Sequence, residues 1–203
     1  MKKLSIVVIP LLIISIIINV FLYQENQAYE LYLSEQLRNT ISPLSSSILR
    51  NEEILREIVA REKITATQVE DLNNNYYNIA KSYQTILHTG IKTKKIPPHY
   101  ISNRPTLIFA DELPNYFRSF VEESSVEIIS HQFNHEEYKE ILKVANLHFQ
   151  LAELIDDKIV GAKTDGMTSE YWSYPHYNNA VSKTYWIELL SEMETIAINF
   201  QLY

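Results

Sequence analysis

Residues 4–23, LSIVVIPLLIISIIINVFLY, constrain this chain more than any other stretch. The run carries no charge, and only Ser5, Pro10, Ser15 and Asn19 interrupt it. A helix of about 20 such residues crosses the hydrocarbon core of a bilayer. Pro10 falls early in that helix, where local adjustment satisfies the freed carbonyl. A secretory signal has a shorter apolar core, about 7 to 15 residues, and ends in small residues at its cleavage site. Here the run is longer and leaves through Val20-Phe21-Leu22-Tyr23-Gln24-Glu25, with no such pattern. The absence of cysteine excludes a lipidated signal as well. The expectation is an uncleaved anchor.

Orientation follows from flanking charge. Lys2 and Lys3 precede the run, whereas Glu25, Glu30 and Glu35 come before the first following basic residue, Arg38. A basic flank stays cytoplasmic. Residues 1–3 are therefore expected to form a cytoplasmic stub, 4–23 a transmembrane anchor in the cell membrane, and 24–203 an extracytoplasmic domain.

About 180 residues remain for that domain, enough for one real core. The whole chain holds three glycines, Gly90, Gly161 and Gly166, and seven prolines. Stretches 44–89 and 115–160 contain neither glycine nor an internal proline that helices avoid, which favours helix over hairpin. The formal net charge is −7, and setting Lys2 and Lys3 aside leaves an excess of about nine acidic groups. Such a surface repels phosphate backbones, so nucleic acid is not an expected partner. Zero cysteines removes disulfides and thiol chemistry together.

Apolar spacing then orders the chain. Leu33, Leu37, Ile41, Leu44, Ile48, Leu55, Ile58 and Val59 form the stripe of a helix over 24–63, with a kink or short break predicted at Pro43. Thr65 and Gln68 have capping-box spacing, and Ile64 and Val69 that of a staple. They predict a helix from Ala66 to Thr89, closed by Gly90 as a left-handed cap. Its seam is Val69, Leu72, Tyr76, Ile79, Tyr83 and Ile86, with hydroxyls expected to reach the surface. A long connection, 90–133, contains Pro97, Pro98 and Pro105, with a short helix predicted to open at Pro114 and another start near Val126, Ile128 and Ile129. Asn134 and Glu137 repeat the capping box, with Phe133 and Tyr138 as staple, and predict a helix from His135 to Val160. Its expected face is Tyr138, Ile141, Leu142, Ala145, Phe149, Ala152, Ile155 and Ile159. A loop, 161–178, leads into a last helix over about 179–201, carrying Trp186, Leu189, Met193, Ile196 and Phe200. The fold class expected is all-α: a transmembrane helix followed by an antiparallel four-helix bundle with a long irregular, short-helix crossover.

Candidate chemistry is sparse. His131 and His135, near Glu136, Glu137 and Glu140, have a spacing that could hold zinc on one continuous helix. The helix start at Asn134 separates them, and acids in a first turn complement the helix dipole. His148 and His88 read as packing or capping residues. Asp156-Asp157 and Glu122-Glu123 are adjacent pairs that point apart on a helix. No catalytic motif occurs, so neither catalytic residues, metal nor cofactor are expected, and the chain does not read as an enzyme. The aromatic run Tyr171, Trp172, Tyr174, His176 and Tyr177 stands out instead. Such rings either plug a bundle end or offer a partner or ligand surface.

The plan resembles the extracytoplasmic four-helix sensor domains of bacterial chemoreceptors, in that a first membrane helix runs on into the first bundle helix. That resemblance is architectural, and no residue motif carries it. It implies a bundle that senses a small ligand, yet the sequence offers no second membrane helix and no signalling region. The leading expectation is therefore an interaction or accessory module of the cell envelope, docking onto another envelope protein. A ligand-sensing bundle acting through a partner is the alternative.

Overall fold

The structure is a computed structural model that describes residues 2–97, 102–122, 130–174 and 179–202. The chain is mostly helical. A single helix, α1, runs from Lys2 to Arg61, about 90 Å at 1.5 Å per residue. Pro43 does not break it. Ile41, Leu44, Ser45 and Ile48 are buried around that proline, and α1 packs against both α2 (Ala66–Lys92) and α5 (His135–Lys158). Packing on two sides outweighs the one backbone bond that proline removes, a loss of about 3 kcal/mol in an unsupported helix.

Burial divides α1 sharply. Residues 11–32 are exposed or nearly so, and continuous core begins at Ser34. Of the predicted stripe, Leu37, Ile41, Leu44, Ile48, Leu55 and Ile58 are buried, whereas Leu33 and Val59 at its ends are half-buried. Among the described residues α1 is the one helix long and apolar enough to cross a membrane.

Glu62 turns the chain with φ 52°, and β1 (Lys63–Thr65) follows. It pairs antiparallel with β2 (Ser130–Gln132), Ile64 opposite His131. Three-residue strands leave no periodicity to read, so this ladder was not foreseen. The cap at Thr65 forms as predicted: Gln68 N–H donates to Thr65 Oγ1 at 3.2 Å and Thr65 N–H to Gln68 Oε1 at 3.1 Å. All six predicted seam residues of α2 are buried.

Gly90 does not cap α2. The helix continues to Lys92 and turns at Lys94, φ 58°. Gly90 is needed for proximity: a Cβ there would lie 2.5 Å from Ile96 Cδ1. Ile96 folds back over the last turn, its N–H bonding Gly90 O at 3.0 Å.

The helix predicted to open at Pro114 is present, with Pro114 in its first turn, and it continues directly from helical turns that precede it. α3 (Arg104–Leu107) starts on Pro105 and passes through a π turn, Ile108–Glu112, into α4 (Leu113–Glu122). The Leu113 N–H reaches back to Ile108 O, so Pro114 follows a ladder already widened to i→i−5 and its missing donor breaks no regular α turn. The start proposed near Val126, Ile128 and Ile129 lies outside the described residues.

The Asn134 cap is complete, accepting from Glu136 N–H and Glu137 N–H at 3.0 Å each. The buried arc of α5 is Ile141, Val144, Leu147, His148, Leu151, Ala152, Leu154 and Ile155. Leu142 and Phe149, assigned to that face from spacing, are exposed. A two-strand hairpin follows, β3 (Ala162–Lys163) with β4 (Gly166–Met167), then α6 (Ser169–Ser173). The last helix is shorter than expected: a 3-10 turn at Ala180–Ser182 precedes α7, Tyr185–Asn199. α7 packs on α5 and α2, while α4 packs on α2.

Candidate functional site

Of the five aromatic-run residues, the structure describes Tyr171, Trp172 and Tyr174; His176 and Tyr177 lie outside the described residues. Their placement begins at the end of α5. Gly161, at φ +82°, reverses the chain, and a Cβ there would come within 2.6 Å of Thr168 Oγ1 and 2.8 Å of Tyr171 N. Only glycine permits both the angle and the approach. Thr168 N–H donates to Gly161 O at 2.9 Å, and Tyr171 N–H to Thr168 O at 3.1 Å. The hairpin and α6 are thereby folded onto α1.

Tyr171 is fully buried, and its hydroxyl donates to Arg38 O at 2.8 Å. The Arg38 guanidinium answers by donating to Trp172 O, and it lies 5.9 Å from the Tyr171 ring centroid and 5.5 Å from that of Trp172. The two rings meet edge to face at 5.0 Å. One turn earlier on α1, Ser34 Oγ accepts from Val181 N–H at 3.1 Å. Tyr171, Trp172 and Val181 thus close around the turn of α1 at which its burial begins. Trp172 stays 43% exposed and Tyr174 36%. The run that spacing treated as one cluster is divided into a buried strut and an exposed rim. Arg38, which sequence reasoning missed, holds the two parts together; no local pattern flags one arginine as the partner of a loop 133 residues away.

The other candidates separate. His131 stands on β2 and His135 opens α5, so they share no helix face. His131 Nε2 meets Glu137 Oε2 at 3.0 Å. Burial pushes the Glu137 carboxyl up, but the hydrogen bonds from His131 and the Asn134 N–H prevail and hold it below the usual range. Among the described residues no group of three histidine, cysteine or acidic side chains is placed to hold a metal. His88 is exposed near the end of α2.

His148 is a core residue, fully buried among Tyr76 at 5.4 Å and Phe109 at 6.3 Å, centroid to centroid. Among the described residues neither ring nitrogen meets a hydrogen-bond partner, and the Tyr76 hydroxyl is buried without one too. The expectation that seam hydroxyls reach water fails at Tyr76, because Phe109 and Phe117 stack over its ring. Burial lowers the His148 pKa to about 3, against the opposing pull of the Ile48 backbone.

A cleft of about 520 Å³ is lined by Arg104, Glu112, Asn115, Tyr116, Ser119, Gln201 and Leu202. Arg104 pairs with Glu112 and also donates to Phe200 O at 3.2 Å. Arg104 and Glu112, the two charged residues that line the cleft, thus compensate each other. A smaller cavity of about 240 Å³ lies between α2 and α7, against Tyr83, Leu87, Ile96, Leu190 and Glu194. The chain matches no protein-family model, no curated protein and no solved structure.

Proposed function

We propose that this protein is a single-pass, membrane-anchored module of the cell envelope that docks a partner protein outside the membrane. In this reading residues 4–23 span the bilayer, the Lys2-Lys3 flank stays cytoplasmic, and 24–203 form an antiparallel four-helix bundle. α1, α2 and α5 make three columns, and α7 with α3–α4 makes the fourth. The observation that carries the reading is the continuity of α1: one helix whose residues 11–32 stay exposed or nearly so among the described residues and whose remainder is the central core strut.

Geometry favours a protein over lipid as the rim's partner. From Tyr23 to Arg38 is 15 residues of helix, about 22 Å of rise. A headgroup layer extends only about 5 to 7 Å beyond the hydrocarbon. Trp172 and Tyr174 therefore stand above the membrane surface, at the height of a neighbouring ectodomain. Aromatic side chains with a polar edge are the residues that anchor such contacts.

Two experiments test this. A single cysteine replacing the exposed Thr164 should react with an impermeant maleimide on intact cells; labelling only after lysis defeats the orientation. A photo-crosslinking residue at Trp172 should trap one envelope protein, whereas one at Tyr77, exposed on α2, should not. Equal or absent trapping at both sites defeats the docking role.

The cavity between α2 and α7 favours a second reading, ligand sensing. Its volume is below the roughly 300 to 1,000 Å³ usual for small-molecule sites, so docking leads. Thermal stabilisation of the full chain by an added small molecule would reverse that order.

A further inference from the structure

A second cleft, between α5 and the segment that follows α7, is lined by side-chain amides. Asn146 and Gln150 lie one turn apart on α5 and share an exposed face. Beyond α7 the chain extends at Phe200 (φ −86°, ψ 132°), which is buried while Gln201 stays exposed. Asn199 and Gln201 thereby join Asn146 and Gln150 around a cleft of about 360 Å³. None of the four carboxamides meets a hydrogen-bond partner among the described residues. Leu147, Ile196 and Phe200 supply the apolar part of the same lining.

Charge narrows the ligand. Lys143 is the one charged residue of this lining, and Glu140 holds its ammonium at 2.7 Å. The cleft of about 520 Å³ shares Gln201, and its charged pair, Arg104 and Glu112, is compensated as well. An ionic ligand would have to displace those pairings, whereas a neutral polar one leaves them intact. A carboxamide has two N–H donors and an acceptor oxygen, so four of them suit a ligand whose groups also both donate and accept. Saccharide hydroxyls do both, and a sugar ring adds an apolar C–H face for Leu147, Ile196 and Phe200. The volume falls within the roughly 300 to 1,000 Å³ usual for small-molecule sites. An extended peptide matches less well. Phe200 N–H already bonds Ala197 O at 3.2 Å, and Phe200 O accepts from Arg104 at 3.2 Å, so no strand edge is free there.

We propose that this cleft binds a neutral saccharide, with Asn146, Gln150, Asn199 and Gln201 hydrogen-bonding its hydroxyls. Its height selects the source. α5 packs on α1, and His148, next to the lining Leu147, lies against the Ile48 backbone. Ile48 stands 25 residues beyond Tyr23, about 38 Å of helical rise. The ligand is therefore a glycan chain standing away from the bilayer, not the headgroup of a membrane lipid. That choice of source rests on the reading that residues 4–23 cross the membrane; the saccharide class does not.

The test uses the full chain in phosphatidylcholine nanodiscs, prepared without glycoside detergent. Calorimetric titration with neutral oligosaccharides of hexose and N-acetylhexosamine units should show saturable binding. Gln150→Ala and Asn199→Ala should each weaken it about three- to tenfold, the worth of one neutral hydrogen bond. Asn74→Ala, which removes an exposed carboxamide on α2, should leave it unchanged. Absence of binding, binding that both cleft variants leave intact, binding confined to acidic sugars, or a short peptide bound through the same residues would each overturn the site. Preference for a neutral glycolipid in vesicles over the free oligosaccharide would overturn the source. Recovery of the chain in the soluble fraction would instead defeat the membrane reading, a separate observation.

Discussion

Tyr171 and Arg38 hold each other in place: the Tyr171 hydroxyl bonds the Arg38 carbonyl at 2.8 Å, and the Arg38 side chain lies over the Tyr171 ring at 5.9 Å. The contact joins the segment after α5 to α1 where α1 enters the core. It separates stability from surface between Tyr171 and Tyr174, three residues apart. Tyr171→Ala should destabilise by about 3 to 5 kcal/mol, as deletion of a buried aromatic ring does, and Tyr171→Phe by about 1 kcal/mol, for the hydrogen bond alone. Tyr174→Ala should stay within about 0.5 kcal/mol. Urea unfolding of the full chain in detergent measures all three.

Gly161 and Gly166 both have positive φ, +82° and +130°, but only Gly161 is crowded. Gly161→Ala should cost roughly 2 to 3 kcal/mol, since strain and the clash with Tyr171 N act together, and Gly166→Ala roughly 1 to 2 kcal/mol from strain alone. Equal melting temperatures for the two variants would contradict the close approach.

His148 makes stability depend on pH. Its folded pKa, about 3, lies below the unfolded value near 6.5, so the unfolded chain binds the extra proton between those values. Stability contributed by the neutral ring is complete above about pH 6.5 and is lost as pH falls toward 3, by at most on the order of 5 kcal/mol. His148→Phe should flatten the difference between unfolding at pH 7 and pH 4. A variant with the wild-type slope would place the acid sensitivity elsewhere.

Asn75 donates from Nδ2 to Asn51 Oδ1 at 2.8 Å, buried between α2 and α1. Asn75→Ala strands a buried amide and should cost about 1 to 3 kcal/mol. Replacing both by leucine removes the polar demand and should restore most of that loss. A double variant no better than Asn75→Ala would show that the pair is needed for shape.

Much of this architecture was legible beforehand where the cause is local. Thr65–Gln68 and Asn134–Glu137 mark helix starts because the cap is built by residues three apart. The stripes of α1 and α2 were readable because their buried apolar residues recur mostly at steps of three and four. α5 was harder: its face looked continuous from Tyr138 to Ile159, and the choice of His148 over Phe149 as the buried residue came from where Tyr76 and Phe109 stand. Gly90 misled for the same reason, being kept for the approach of Ile96 and not for a left-handed angle.

The sequence by itself determined a long apolar helix ahead of a mostly helical, acidic, cysteine-free domain, because composition and period act within a few turns. Tertiary structure alone decided which aromatic residue became strut and which became rim, and that α1 crosses Pro43 unbroken. It also decided that Ile64 pairs with His131 across 67 residues. Those outcomes depend on surfaces brought together from distant parts of the chain, and a contact's energy is unknown until its partner's position is.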